Sequence, residues 1–215
     1  MCGRYRRRSD KQRIADAFAV HVGLDELHLE PEEDIAPGSI QPVVRLNDEG
    51  ERQLEFMRWG FKKENGRLLF NARSEGIETA NFWKKAFNER RCIVPADSFF
   101  EWRKVQTGKK PKYEFTIRQG QLFGMAGLWS QWKNPKTDLW EATFAIMTVD
   151  ANETVATVHD RQPAILNPRE YRQYLEEADR PPLHLLRILP SEEMDAQEVD
   201  QEIISNKQVG LFDSL

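Results

Sequence analysis

The feature that most restricts what this chain can fold into is a succession of short apolar runs, spaced for strands, through its middle. Residues 92–101 read as a buried strand broken at Pro95, and residues 113–118, 122–129 and 142–149 continue a strand-rich centre. Ahead of them, residues 41–46 and 54–61 alternate or run apolar on either side of Asn47, Asp48, Glu49 and Gly50, a turn signal that predicts a hairpin. Helical spacing is confined to three stretches. Lys11–Phe18 places Ile14, Ala15 and Phe18 on one face behind Asp10 as N-cap, and residues 78–91 gather Phe82, Trp83, Ala86 and Phe87 on one side. Residues 168–177 open on a proline at the first helical position. From Pro190 the chain turns polar and acidic and reads as a short helix or a loosely attached tail. The pattern is that of a strand-rich chain with a few short helices.

With 215 residues, 40% of them hydrophobic, the chain can build one substantial core, and a single domain over residues 1–215 is the economical expectation. No apolar run approaches the roughly 20 residues that cross a bilayer, and MCGRYRRRSD has no hydrophobic stretch behind its charges. A soluble, cytoplasmic protein with no membrane partner is expected. Cys2 and Cys92 cannot make a disulfide framework and lack the clustered spacing of a zinc site, so a reducing compartment fits and neither metal nor cofactor is expected. The net charge of -4 conceals an asymmetry. Residues 1–133 carry 24 Lys and Arg against 19 Asp and Glu, and residues 134–215 carry 7 against 16. A basic face followed by an acidic region leaves a nucleic-acid partner open, although charges that merely solvate the surface give the same count.

Four places carry residues with chemical potential. Cys2 follows the initiator Met1, and removal of Met1 leaves an α-amine and a thiol on one residue. The amine attacks an aldehyde to give an imine, and the thiol can then close a five-membered thiazolidine. An α-amine with a reference pKa of about 8 is already partly neutral near pH 7. Asn71 and Arg73 follow the apolar Leu68, Leu69 and Phe70. The amide can orient a nucleophile and the guanidinium suits phosphate, but a turn and helix cap would read the same. Glu101 sits between Phe100 and Trp102, where apolar surroundings would raise its pKa toward that of a proton donor at neutral pH. An outward-facing glutamate on a strand has the same spacing. Of the four histidines, His159, flanked by Val158, Asp160 and Arg161, is the one suited to acid–base work, with a structural histidine as the alternative.

In one order along the chain stand MCGRY, APG at Ala36 to Gly38, RWGF at Arg58 to Phe61, NARSE at Asn71 to Glu75, PADSFFEW at Pro95 to Trp102 and HDRQP at His159 to Pro163. Together they resemble the SRAP (SOS-response-associated peptidase) family, whose members cross-link to abasic sites in DNA. The resemblance covers about residues 1–166. It implies a compact α+β fold with a β-barrel-like core, flanking helices and a groove for single-stranded DNA containing abasic sites. On matching positions it makes Cys2 the cross-linking residue, with Asn71, Glu101 and His159 as catalytic neighbours. By the same match Arg4, Arg73 and Arg161 contact phosphates and Pro37 walls the groove. Where the family carries a Pro and a Trp shortly after the Trp-Gly pair, this chain has Lys62, Lys63, Glu64 and Asn65. A second class of function shares the start MCG: N-terminal-nucleophile thiol hydrolases or peptidases, in which Cys2 with His159 and Asn71 would form an acyl-enzyme. Adduct formation with abasic DNA against turnover of an amide separates the two.

Overall fold

A computed structural model of the chain describes residues 2–24, 27–63, 67–134 and 137–199. Its strands, in chain order, are β1 (Arg4–Arg7), β2 (Glu32–Ile35), β3 (Ile40–Leu46), β4 (Arg52–Trp59), β5 (Phe61–Lys62), β6 (Leu68–Leu69), β7 (Asn71–Arg73), β8 (Arg91–Ala96), β9 (Ser98–Trp102), β10 (Lys112–Ile117), β11 (Phe123–Lys133), β12 (Trp140–Asp150), β13 (Arg161–Pro163), β14 (Ile165–Leu166) and β15 (Met194–Val199). The α-helices are α1 (Lys11–Phe18), α2 (Lys84–Glu89), α3 (Glu153–Ala156) and α4 (Tyr171–Leu175).

Five strands close a barrel in the order β12, β4, β3, β8, β11 and back to β12. The length of β12 makes this possible. Its first half pairs with β11, its middle lies parallel to β4 and β7, and its end pairs with β13. A second sheet runs β15, β10, β9, β1, β2. One apolar cluster joins the two, with Tyr5, Phe99 and Phe115 from the sheet meeting Met57, Trp59, Val94 and Phe144 from the barrel. A second cluster lies under the helices, where Ile14, Phe18, Phe87, Tyr171 and Tyr174 meet Ile93, Ala126 and Ala145. The predicted mixed α+β architecture with a barrel-like core and flanking helices is the one observed.

The hairpin of β3 and β4 follows its predicted turn, with Asn47 Oδ1 accepting from the N–H groups of Glu49 and Glu51. Helix α1 starts as expected, Asp10 accepting from the Arg13 N–H at 2.8 Å, and buries Ile14, Ala15 and Phe18. Gly60, at φ +124, turns the chain from β4 to β5, and a Cβ there would meet the Leu68 Cγ at 2.4 Å.

Four expectations are corrected. The strand over 92–101 breaks at Asp97, not Pro95. Pro95 lies within β8 opposite Gly124, and β8 pairs with β3 only at Val44 and Ile93, so no ladder bond is lost on that side. Asp97 makes the break by accepting from the N–H groups of Arg8 and Ser9 and from the Ser9 hydroxyl. The stretch 78–91 is helical only over Lys84–Glu89, and 168–177 divides into a 3-10 turn at Pro168–Glu170 followed by α4. The segment after Pro190 holds strand β15, paired with all of β10, while residues 200–215 lie outside the described residues. Among the described residues no helix is long and apolar enough to cross a membrane.

Candidate active site

Strand β1 runs antiparallel to β9 with Arg4 opposite Phe100, so the chain just before Arg4 passes alongside Glu101. Cys2 is fully buried there, its carbonyl accepting a 2.9 Å hydrogen bond from Asn71 Nδ2. Asn71 is carried by β7, parallel to β12 and opposite Ile146, and the preceding Phe70 carbonyl accepts from the Trp59 indole at 2.9 Å. Its Oδ1 is buried without a hydrogen-bond partner among the described residues. Thus the amide fixes the backbone of Cys2 and leaves an acceptor over for a proton on a neighbouring group. Among the described residues the Cys2 thiol makes one long hydrogen bond, 3.8 Å, to the Arg4 carbonyl. Burial pushes this thiol far above the usual range, and the charge of Glu101 pushes it further. A thiolate is therefore disfavoured at this position.

Glu101 is 4% exposed on β9, opposite Tyr113 of β10. Burial raises its carboxyl above the ordinary value, and the charge of His159 works in the opposite direction. His159 follows α3, whose N-cap Asn152 accepts from the Val155 N–H at 2.9 Å. The imidazole Nδ1 lies 3.0 Å from both the Arg161 N–H and Asp160 Oδ1. A backbone N–H can only donate, so in the neutral ring Nδ1 is the acceptor and Nε2 carries the proton; the Asp160 contact becomes an ion pair only when the ring is protonated. Cys2, Asn71, Glu101 and His159 are thereby linked through one contact and two electrostatic couplings.

The four residues expected to contact DNA sit differently. Arg73 is exposed. Arg4 is ion-paired to Asp34 at 2.7 Å, with 39% of its side chain exposed. Pro37 is half-buried in the turn whose Gly38 N–H donates to the Trp59 carbonyl at 2.8 Å. Arg161 is 6% exposed and its guanidinium is already engaged: it donates to both oxygens of Glu75, to Asp150 and to the Thr148 carbonyl. That hydrogen bonding holds the Glu75 carboxyl below the usual range.

Two residues around His159 were not singled out from sequence. The buried Asn152, besides capping α3, donates to the Leu189 carbonyl at 2.9 Å, and its own N–H donates to Gln162 Oε1 at 2.8 Å. Asn152 and Gln162 thus hold the two ends of the His159 loop together and tie it to the chain ahead of β15. An asparagine directly before Glu153 at a helix start was the available signal.

The raised carboxyl of Glu101 gives a test in which stability and chemistry move apart. A carboxyl whose folded pKa exceeds its unfolded value of about 4.3 favours folding only while protonated. That contribution is complete at low pH and is lost as pH rises from the unfolded toward the folded value. Glu101→Gln should therefore melt above the wild type at neutral pH, with the gap closing below about pH 4. If Glu101 is a proton-transfer group in the cross-linking that the family resemblance implies, the same variant should slow that reaction by about 10²–10⁴-fold. Thermal melts at two pH values beside single-turnover kinetics read both. A lower melting temperature at neutral pH would make the carboxylate a net stabilising partner, and an unchanged rate would remove it from the chemistry.

A strand-rich α+β protein that closes a five-stranded barrel and fixes a second-position cysteine by its carbonyl is the class that this fold and geometry define. The chain matches the SOS response associated peptidase (SRAP) family over residues 1–206, and it belongs to that family. It is 30% identical over 217 residues to the abasic site processing protein YoqW of Bacillus subtilis (strain 168), covering 96% of each chain. It is 29% identical over 182 residues to the abasic site processing protein YedK of Escherichia coli (strain K12), covering 81% of this chain and 79% of that one. The fold is also that of a crystal structure from Bacteroides thetaiotaomicron, with a TM-score of 0.83 at 22% identity and 94% of each chain covered.

Proposed function

We propose that this protein captures abasic sites in single-stranded DNA by forming a thiazolidine through Cys2 once Met1 has been removed. The observation that carries the reading is how Cys2 is held: Asn71 grips its carbonyl, while burial keeps its thiol protonated. Such a thiol is poorly suited to open an amide by itself, which speaks against the thiol hydrolase. It is suited to act second. The amine of Cys2 adds to the C1′ aldehyde of the ring-opened sugar, water leaves to give an imine, and the thiol adds to the imine carbon as its proton passes to nitrogen. One water is released overall. Glu101 and His159 move the protons, the raised carboxyl of Glu101 favouring its acid form. The imine can instead lose the 3′-phosphate by β-elimination, so lyase activity accompanies capture. Relatives named for abasic site processing support the same substrate.

Arg4 and Arg73 hold flanking phosphates along a groove walled by Pro37. Arg161 joins them where a phosphate oxygen replaces Glu75 or Asp150, both largely exposed. A reducing cytoplasm keeps the thiol free. The test is Cys2→Ala on a denaturing gel with an abasic oligonucleotide. It should abolish the heat-stable adduct and leave non-covalent affinity almost unchanged, because phosphate contacts come from other residues. Cys2→Ser keeps the amine and should be trapped on DNA by borohydride. A heat-stable adduct with Cys2→Ala would move the chemistry to another nucleophile.

A further inference from the structure

Across the barrel wall from Cys2 lies a recess of about 250 Å³ between α2, β5 and the ends of β11 and β12. On β12, Thr143 lines this recess and shares its face of the strand with Ala145 and Met147 of the cluster under the helices, whereas Phe144 and Ile146 belong to the cluster that contains Cys2. From Thr143 to Ile146, the residue opposite Asn71, is roughly 10 Å along the strand. The recess is thus separate from the candidate active site but within a few nucleotides of it.

Its lining combines aromatic faces with cations. Phe82 is 44% exposed, with Trp83 edge-on at 4.8 Å between centroids and the Lys63 ammonium 5.3 Å from its own ring centroid. Trp132 also lines the recess, with the Lys62 ammonium 4.5 Å from its ring centroid. Lys62, Lys85 and Arg90 line the recess, and among the described residues no carboxylate does. Aromatic faces beside several cations suit a base and its phosphate together.

We propose that this recess is a nucleotide subsite that holds one unpaired nucleotide of the DNA strand flanking the lesion, its base against Phe82 and Trp132 and its phosphate among Lys62, Lys85 and Arg90. The proposal rests on the single-strand reading given above. Phe82→Ala and Lys85→Ala, both at exposed positions outside the capture machinery, test it with two abasic oligonucleotides: one ending two nucleotides either side of the lesion, and one of roughly 20 nucleotides, longer than the roughly 4–16 that such surfaces contact. On the long strand Phe82→Ala should weaken binding about tenfold, and Lys85→Ala should lower the salt slope by about 0.7. On the short strand both variants should bind and cross-link as wild type does. Equal affinity of wild type and variants for the long strand would overturn the subsite. If Phe82→Ala instead abolishes binding of dAMP and leaves the long strand unaffected, the recess takes a free nucleotide and the strand assignment is overturned. Wild-type protein that shows the length-dependent binding but forms no adduct would refute capture and leave the subsite standing.

Discussion

Replacing Arg91 by methionine should lower the stability of the fold by about 3 kcal/mol or more. The residue is 3% exposed at the first position of β8, and its guanidinium hydrogen-bonds to four backbone carbonyls among the described residues. It donates to Phe87 and Asn88 at the end of α2, at 2.6 and 2.5 Å, to Tyr174 at 2.6 Å near the end of α4, and to the Glu176 carbonyl just beyond it. The last carbonyls of a helix have no partners within it and carry the negative end of its dipole. One planar cation therefore satisfies two helix ends and fastens both to the barrel. Methionine fills the stem's volume but leaves four acceptors without their donor in a place with little water. A loss of this size lowers the melting temperature of a chain of this length by about 6–12 °C. Arg91→Lys should recover only part of it, because an ammonium cannot reach four carbonyls in the fork geometry. A thermal or urea melt decides; a change below about 1 kcal/mol would mean that water replaces the guanidinium at little cost. Since α2 carries Lys85 and ends beside Arg90, the same variant should loosen the aromatic recess.

Arg91 illustrates where the sequence was silent. Beside an apolar run it looks like the polar end of a helix, and nothing local says that two helix termini converge on it. Arg7 hides a strand in the same way. In β1 the alternation is carried by Tyr5 and Arg7, both buried, and Arg7 is accommodated by the Glu30 carbonyl and Glu32. A charge at an inward position conceals the period of two. Strand β15 was missed for the opposite reason: only Met194 of its six residues is buried, so its place comes from backbone pairing with β10 at the sheet edge and not from an apolar pattern. The strands of the barrel were legible because both faces are covered, by the helices on one side and by the second sheet on the other. At the site, Cys2, Asn71, Glu101 and His159 could be singled out from residue chemistry and motif order. Their mutual placement could not, since it depends on β7 lying parallel to β12 and β1 lying against β9. Nor could sequence tell the exposed Arg73 from the engaged Arg161, because the carboxylates that engage Arg161 come from positions 75 and 150.

The largest expected effect of all concerns a single residue at the N-terminus. Thiazolidine formation needs a primary amine on Cys2. With Met1 attached, that nitrogen is an amide: its lone pair is delocalised into the carbonyl, it forms no imine, and only the thiol can add to the aldehyde. A thiol alone gives a reversible hemithioacetal that denaturation and heating dissociate. Held by Asn71 through its carbonyl, Cys2 has no other route to a stable bond in this mechanism. Protein that retains Met1, or bears an N-terminal extension, should therefore bind abasic single strands and leave no adduct, and proteolytic removal of the extension should restore it. Intact-mass measurement of each preparation, run beside a denaturing gel with the abasic oligonucleotide, is the most direct test. The account predicts adduct only from protein whose mass shows Cys2 as its first residue; an equal yield from verified Met1-bearing protein would contradict it.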